Sequence, residues 1–88
     1  MNFRITKTFE KSLLKIKDEN ILFLVKTSLI NVSESLKIEE IKNIKKMKGF
    51  SNSYRIKVKE YRICIYYSND FIDLHKIAHR KDAYNNFP

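Results

Sequence analysis

The apolar residues of this chain change their period once, and that change decides what it can fold into. Up to Leu36 they recur every third or fourth position; from Tyr54 onward they recur every second. The first spacing marks one face of a helix and the second one face of a strand, so helices come first and a sheet follows. Leu22, Val25, Leu29, Val32 and Leu36 make one stripe on a long helix, with Asp18 as its cap. Phe9, Leu13 and Ile16 make a shorter stripe on a preceding helix that Thr8 can cap, and residues 2–6 alternate as a short first strand.

The second half reads as a meander. Tyr54, Ile56 and Val58 point one way while Arg55, Lys57 and Lys59 point the other; after a turn at Lys59-Glu60, Tyr61, Ile63, Ile65 and Tyr67 alternate with Arg62, Cys64 and Tyr66. Ser68-Asn69-Asp70 signals a second turn, and residues 71–77 a third strand with Ile72 and Leu74 inward. Residues 37–49 read as a basic connector. There Ile38, Ile41, Ile44 and Met47 stand three apart on a loosely helical segment that Gly49 ends by taking a positive φ. Residues 78–88 have too little apolar content for another core strand. The expected fold is α+β in the order β-α-α-β-β-β, a small, largely antiparallel sheet packed on a helical hairpin, as one domain over residues 1–88.

Composition narrows the function. Hydrophobic residues at 43% exclude a disordered tail. The longest apolar run, residues 21–25, cannot cross a bilayer. Met1 leads into Asn2-Phe3-Arg4 and a charged segment, so no signal peptide is expected. The single Cys64 allows no intrachain disulfide and fits a reducing compartment, so the expected localisation is cytoplasmic, with no membrane partner. There is no Gly-rich phosphate loop and no cofactor motif. His75 and His79, on one strand, would stand about 13 Å apart and cannot share a metal. Neither a metal nor a small-molecule cofactor is therefore expected.

What remains is charge. Eighteen Lys and Arg against ten Asp and Glu give +8. Nearly all of the excess lies in residues 41–62, where Lys42, Lys45, Lys46, Lys48, Arg55, Lys57, Lys59 and Arg62 face only Glu60. A tight loop at Lys59-Glu60 sets Lys57 opposite Arg62 and Arg55 opposite Cys64; the second turn sets Cys64 near His75 and Tyr66 near Asp73. Like charges directly opposite on paired strands cost roughly 0.2–1 kcal/mol. The face the core leaves free is therefore built for an anion, with phosphate the first candidate.

The residues that carry this face also resemble a known family. Met47-Lys48-Gly49, Tyr54-Arg55-Ile56-Lys57-Val58, Tyr61-Arg62-Ile63 and His79-Arg80-Lys81-Asp82-Ala83-Tyr84 are similar, in this order and spacing, to the motifs of the RelE/ParE toxin superfamily. The resemblance implies the toxin of a type II toxin–antitoxin pair with a cognate antitoxin as protein partner. In the RelE branch it also implies a metal-independent endoribonuclease that enters the 70S ribosome and cuts mRNA in the A site. Carried over, Lys57, Arg62, Arg80 and Tyr84 become the catalytic residues, and Arg55, Lys48, Lys59 and His79 the RNA contacts. Arg62 and Arg80 suit phosphate because a guanidinium stays charged and presents a planar fork. Lys57, among cations that disfavour a further charge, and Tyr84 are both candidates for the base. Glu60 departs from the pattern, standing in a turn where many members have Gly or Asp. The ParE branch, which poisons DNA gyrase without chemistry, and a non-catalytic nucleic-acid-binding module stay open as alternatives.

Overall fold

Thr6 opens the helical part. Its hydroxyl accepts the Phe9 N–H at 3.1 Å and donates to the Leu74 carbonyl at 2.8 Å, so one side chain both caps a helix and ties it to the last strand. The cap is thus Thr6 rather than Thr8, because Thr6 stands three residues before the N–H its oxygen must reach. The computed structural model describes residues 1–83. In these, β1 (Asn2–Ile5) leads into α1 (Lys7–Leu14) and α2 (Glu19–Glu34). A 3-10 turn (Ile38–Glu40) precedes β2 (Ile44–Lys46), β3 (Ser53–Val58), β4 (Tyr61–Ser68), β5 (Phe71–His79) and a one-turn helix α3 (Arg80–Ala83).

The five strands lie in the order β1-β5-β4-β3-β2. All neighbours are antiparallel except β1 and β5, which run parallel with Asn2 beside Phe71 and Ile5 beside Leu74. The expected α+β architecture is present, with two differences. The basic connector is not loosely helical throughout: Ile38 and Ile41 are buried beneath α2, but Asn43 takes φ 62° and turns the chain so that Ile44 pairs with Ile56 as a fifth, edge strand. The expected tail also begins two residues late, since β5 runs to His79 before α3.

Asp18 caps α2 as expected, its carboxylate accepting the N–H groups of Asn20 and Ile21 at 2.8 and 3.3 Å. The helix ends at Ser35, whose own N–H closes on Asn31. Leu36, expected to continue the stripe, therefore lies beyond the helix and is 85% exposed. Ile21, Val25 and Val32 are the α2 residues that bury, with Leu22 and Leu29 packed at the margin. They meet Phe9 of α1 and the inward set Ile56, Ile63, Ile65, Ile72 and Leu74 of β3–β5, nearly all without solvent exposure.

Two tight turns fix the meander. Lys59 takes φ 54°, and Asn69 and Asp70 take φ 51° and 59°, the left-handed pair that a two-residue hairpin favours. Past Leu74, β5 has no β1 beside it. Ser12 of α1 substitutes there, its hydroxyl accepting the Ile77 N–H at 3.0 Å while donating to the Phe9 carbonyl at 2.8 Å. Among the described residues no helix is long and apolar enough to cross a membrane.

Ile63, without solvent exposure in the central strand, is the sharpest probe of this core. Ile63→Ala is expected to cost about 2–5 kcal/mol through lost burial and the cavity left behind. Leu36→Ala is expected to change stability by under about 0.5 kcal/mol. Urea unfolding of the two variants beside the parent chain measures both.

Candidate active site

The β3–β4 register agrees with the sequence arithmetic: Lys57 pairs with Arg62 and Arg55 with Cys64. Because Ile56, Val58, Ile63 and Ile65 must face the helices, these cations are driven to the other side. The edge strand β2 adds Lys45 opposite Arg55, so two cationic cross-strand pairs stand side by side. Arg55, Lys57 and Arg62 converge, with Asn43, Ile44 and Lys45, on one depression of about 340 Å³ whose charged walls are all basic. Lys57 is exposed there, while Arg55 and Arg62 are half-buried.

The turn joining β3 to β4 organises its two neighbouring arginines. Arg62 donates through one terminal nitrogen to the carbonyls of Lys59 and Tyr61 at 2.8 and 2.9 Å. Arg80, opening α3, donates its backbone N–H to the Glu60 carbonyl at 2.7 Å and sets its Nε 2.9 Å from the Glu60 carboxylate. Arg80, remote in sequence, is thereby brought to the end of the sheet that carries Lys57 and Arg62.

The rest of this face is partly covered. Here α3 folds across the sheet, and Ala83 buries against Cys64, with Met47, Tyr66 and Ala78 around them. Both Cys64 and Ala83 are without exposure. Burial pushes the Cys64 thiol up to about 11, against the opposing pull of Lys76 and Arg55, so it is a packed thiol and not a nucleophile at neutral pH.

A bulge shifts the β4–β5 register between Cys64 and Ile65, so Cys64 faces Lys76, not His75 as the unbroken alternation implied. Tyr66 does face Asp73. His75, the extra residue, places its ring 5.3 Å from that of Tyr66.

The other expected RNA contacts scatter. His79 keeps the parity of Ile77 and so faces the α1 side. Its ring stands edge-on to Tyr61 at 5.7 Å, its Nδ1 accepts the Lys81 N–H at 3.2 Å, and it lines a groove with Lys11 and Lys15. Lys48 sits in the turn that Phe50 closes on Met47, three residues beyond Lys45 of the basic depression and about 10 Å along the chain from it. Lys59 lies at the correct end but lines a depression toward α2 with Lys42 and Lys57. Tyr84 lies outside the described residues. Sequence reasoning missed Lys45 and the Glu60–Arg80 pair. A three-residue strand is too short to show a period, and the pair joins residues twenty apart. Among the described residues no three His, Cys, Asp or Glu side chains group as a metal site.

His75 supplies a pH test of this face. Burial, reinforced by Lys76, lowers its imidazole below the usual 6.5. The folded chain then binds this proton less readily than the unfolded one, so the contribution to stability is complete above 6.5 and is lost as pH falls through the folded value. Urea midpoints measured from pH 7.5 down to 4.5 are expected to fall less steeply for His75→Gln than for the parent chain.

No family profile matches the chain. It is 36% identical over 89 residues to Toxin RelE3 of Methanocaldococcus jannaschii, covering all of both proteins. The crystal structure of a RelB-RelE antitoxin-toxin complex from Methanococcus jannaschii superposes with a TM-score of 0.78 at 35% identity, again over the whole of both chains. YafQ from E. coli strain BL21(DE3) shares the fold at a TM-score of 0.64 and 12% identity, with 96% of this chain and 98% of that one covered.

Proposed function

This chain belongs to the RelE family of toxins, and from that premise we propose that it is an endoribonuclease that cuts mRNA in the ribosomal A site and is restrained by a cognate antitoxin. The observation that carries the reading is the convergence of Arg55, Lys57 and Arg62 on one basic depression, with Arg80 held at the same end of the sheet. Such a surface matches a phosphodiester with a neighbouring 2′-hydroxyl. Attack of the 2′-oxygen on phosphorus breaks the bond to the 5′-oxygen and leaves a 2′,3′-cyclic phosphate and a free 5′-hydroxyl. The reaction needs a proton acceptor for the 2′-hydroxyl, cations for the charge that builds on phosphorus, and a proton for the leaving oxygen.

Arg62 and Arg80 supply the cations. Among the described residues Arg62 keeps Nε and its second terminal nitrogen for phosphate while the first is spent on the turn carbonyls, which limits its motion before substrate arrives. Lys57, exposed on the rim, and Tyr84 are the candidates for the two proton transfers. Arg55 and Lys45 hold the adjoining phosphates. The activity assigned here draws on no metal and no cofactor.

An antitoxin partner is supported by the RelB-RelE antitoxin-toxin complex, whose chain matches this one over its whole length at 35% identity. An acidic segment laid over Arg55, Lys57 and Arg62 would block the same anions the site is built to take.

Induced expression in cells, with 5′ ends mapped on translated and untranslated forms of one message, tests the reading. Growth arrest is expected with cuts on the translated form alone, and Arg62→Ala/Arg80→Ala is expected to lower cleavage at least about 100-fold. Arrest without cuts would overturn the nuclease assignment and direct the search to DNA gyrase.

A further inference from the structure

We propose that Glu60 is a positioning residue for Arg80, fixing the guanidinium that the proposed cleavage uses; the inference rests on that reading of the site. Glu60 is the one acidic residue in the basic stretch 41–62. An acid there weakens the field the site needs for RNA, so its place asks for a compensating role. The geometry supplies one. Glu60 makes two contacts to Arg80 and to nothing else among the contacts of the described residues: its carbonyl accepts the Arg80 N–H at 2.7 Å, and its carboxylate stands 2.9 Å from Nε.

The first contact fixes where α3 leaves the sheet. The second fixes the direction of the side chain, and it does so through Nε alone. Among the described residues both terminal nitrogens of Arg80 remain for an anion, as they would not if Glu60 gripped the fork from its end. The pair is more than half exposed on both sides, so its worth to folding is small. A contact that adds little stability, opposes the overall charge and orients a phosphate-binding arginine is best explained by that orientation.

Carrying this role in a turn has a geometric reason. Lys59 at φ 54° tightens the β3–β4 connection to two residues, leaving Glu60 at the tip beside the start of α3. The carbonyls on either side of it already hold Arg62. Three consecutive residues, the two of the turn and the first of β4, therefore set both arginines.

Single-turnover cleavage of a ribosome-bound message, read as rate and half-saturation separately, tests the proposal together with the Nε–H resonance of Arg80 in the free toxin. Glu60→Ala is expected to slow the maximal rate ~10-fold with little change in half-saturation or melting temperature. Glu60→Gln, whose amide oxygen still accepts from Nε, is expected to stay within about threefold of the parent, by the same reasoning on orientation. In an Arg80→Ala background, Glu60→Ala is expected to have no further effect. The Arg80 Nε–H signal is expected to shift in Glu60→Ala and exchange faster with water.

A rate at or above the parent's in Glu60→Ala, or an equal loss in the Arg80→Ala background, would overturn the proposal. An inert parent chain would instead overturn the nuclease reading. The positioning of Arg80 is then judged on the resonance alone, and an unshifted signal would end it.

Discussion

The pairing of β3 with β4 is the constraint on which the rest of the molecule depends. Two residues, Lys59 and Glu60, close the hairpin, and the register that follows sends Ile56, Val58, Ile63 and Ile65 to the helices and Arg55, Lys57 and Arg62 to the opposite face. A slip of one residue would exchange the two sets completely. Core and site are therefore one decision, and neither can drift without the other. The left-handed Lys59 costs about 1 kcal/mol relative to a relaxed turn, a cost the surrounding ladder offsets.

Around that hairpin the sheet is held from both sides by unlike means. The helical face is a continuous apolar layer with Phe9, Val25 and Val32 at its centre. Its fastening to β5 uses two hydroxyls, Thr6 and Ser12, each satisfying its own helix and the strand's backbone at once. Among the described residues the opposite face carries only a small cluster of Cys64 and Ala83 with Met47, Tyr66 and Ala78, enough to seat α3. Cations surround this patch rather than fill it, so a basic surface gains a firm floor without a second full core.

Legibility in the sequence followed the physics of each signal. The long helix, its Asp18 cap, the two turns and the Lys57–Arg62 pairing were readable because each rests on local chemistry or on a period sustained over several residues. Leu36 misled because spacing alone does not mark where a helix stops; the Ser35 cap does. The edge strand at Ile44 was hidden by isoleucines three apart, of which Ile38 buries from a 3-10 turn, Ile41 as the residue that ends it, and Ile44 packs half-buried from a strand. The bulge at His75 has no local signature, and it displaced one expected neighbour of Cys64. The candidate site is legible as a set of charges, but a motif does not show that strand parity turns His79 toward α1 or that Lys48 lies in the turn past β2. The link from Glu60 to Arg80 is tertiary, and no window along the chain contains it.

The parallel pairing of β1 with β5 has a consequence in time. Asn2 finds its neighbour only at Phe71, and the contacts that complete the sheet span most of the chain. Such non-local closure is slow, since chain entropy is lost before the contacts reward it. A growing chain cannot assemble this sheet until β5 has been made, and Arg80 follows β5 directly. A copy interrupted before Phe71 thus lacks both the strand that β1 needs and the arginine that follows it, so the closing of the sheet and the arrival of Arg80 at the turn are one event.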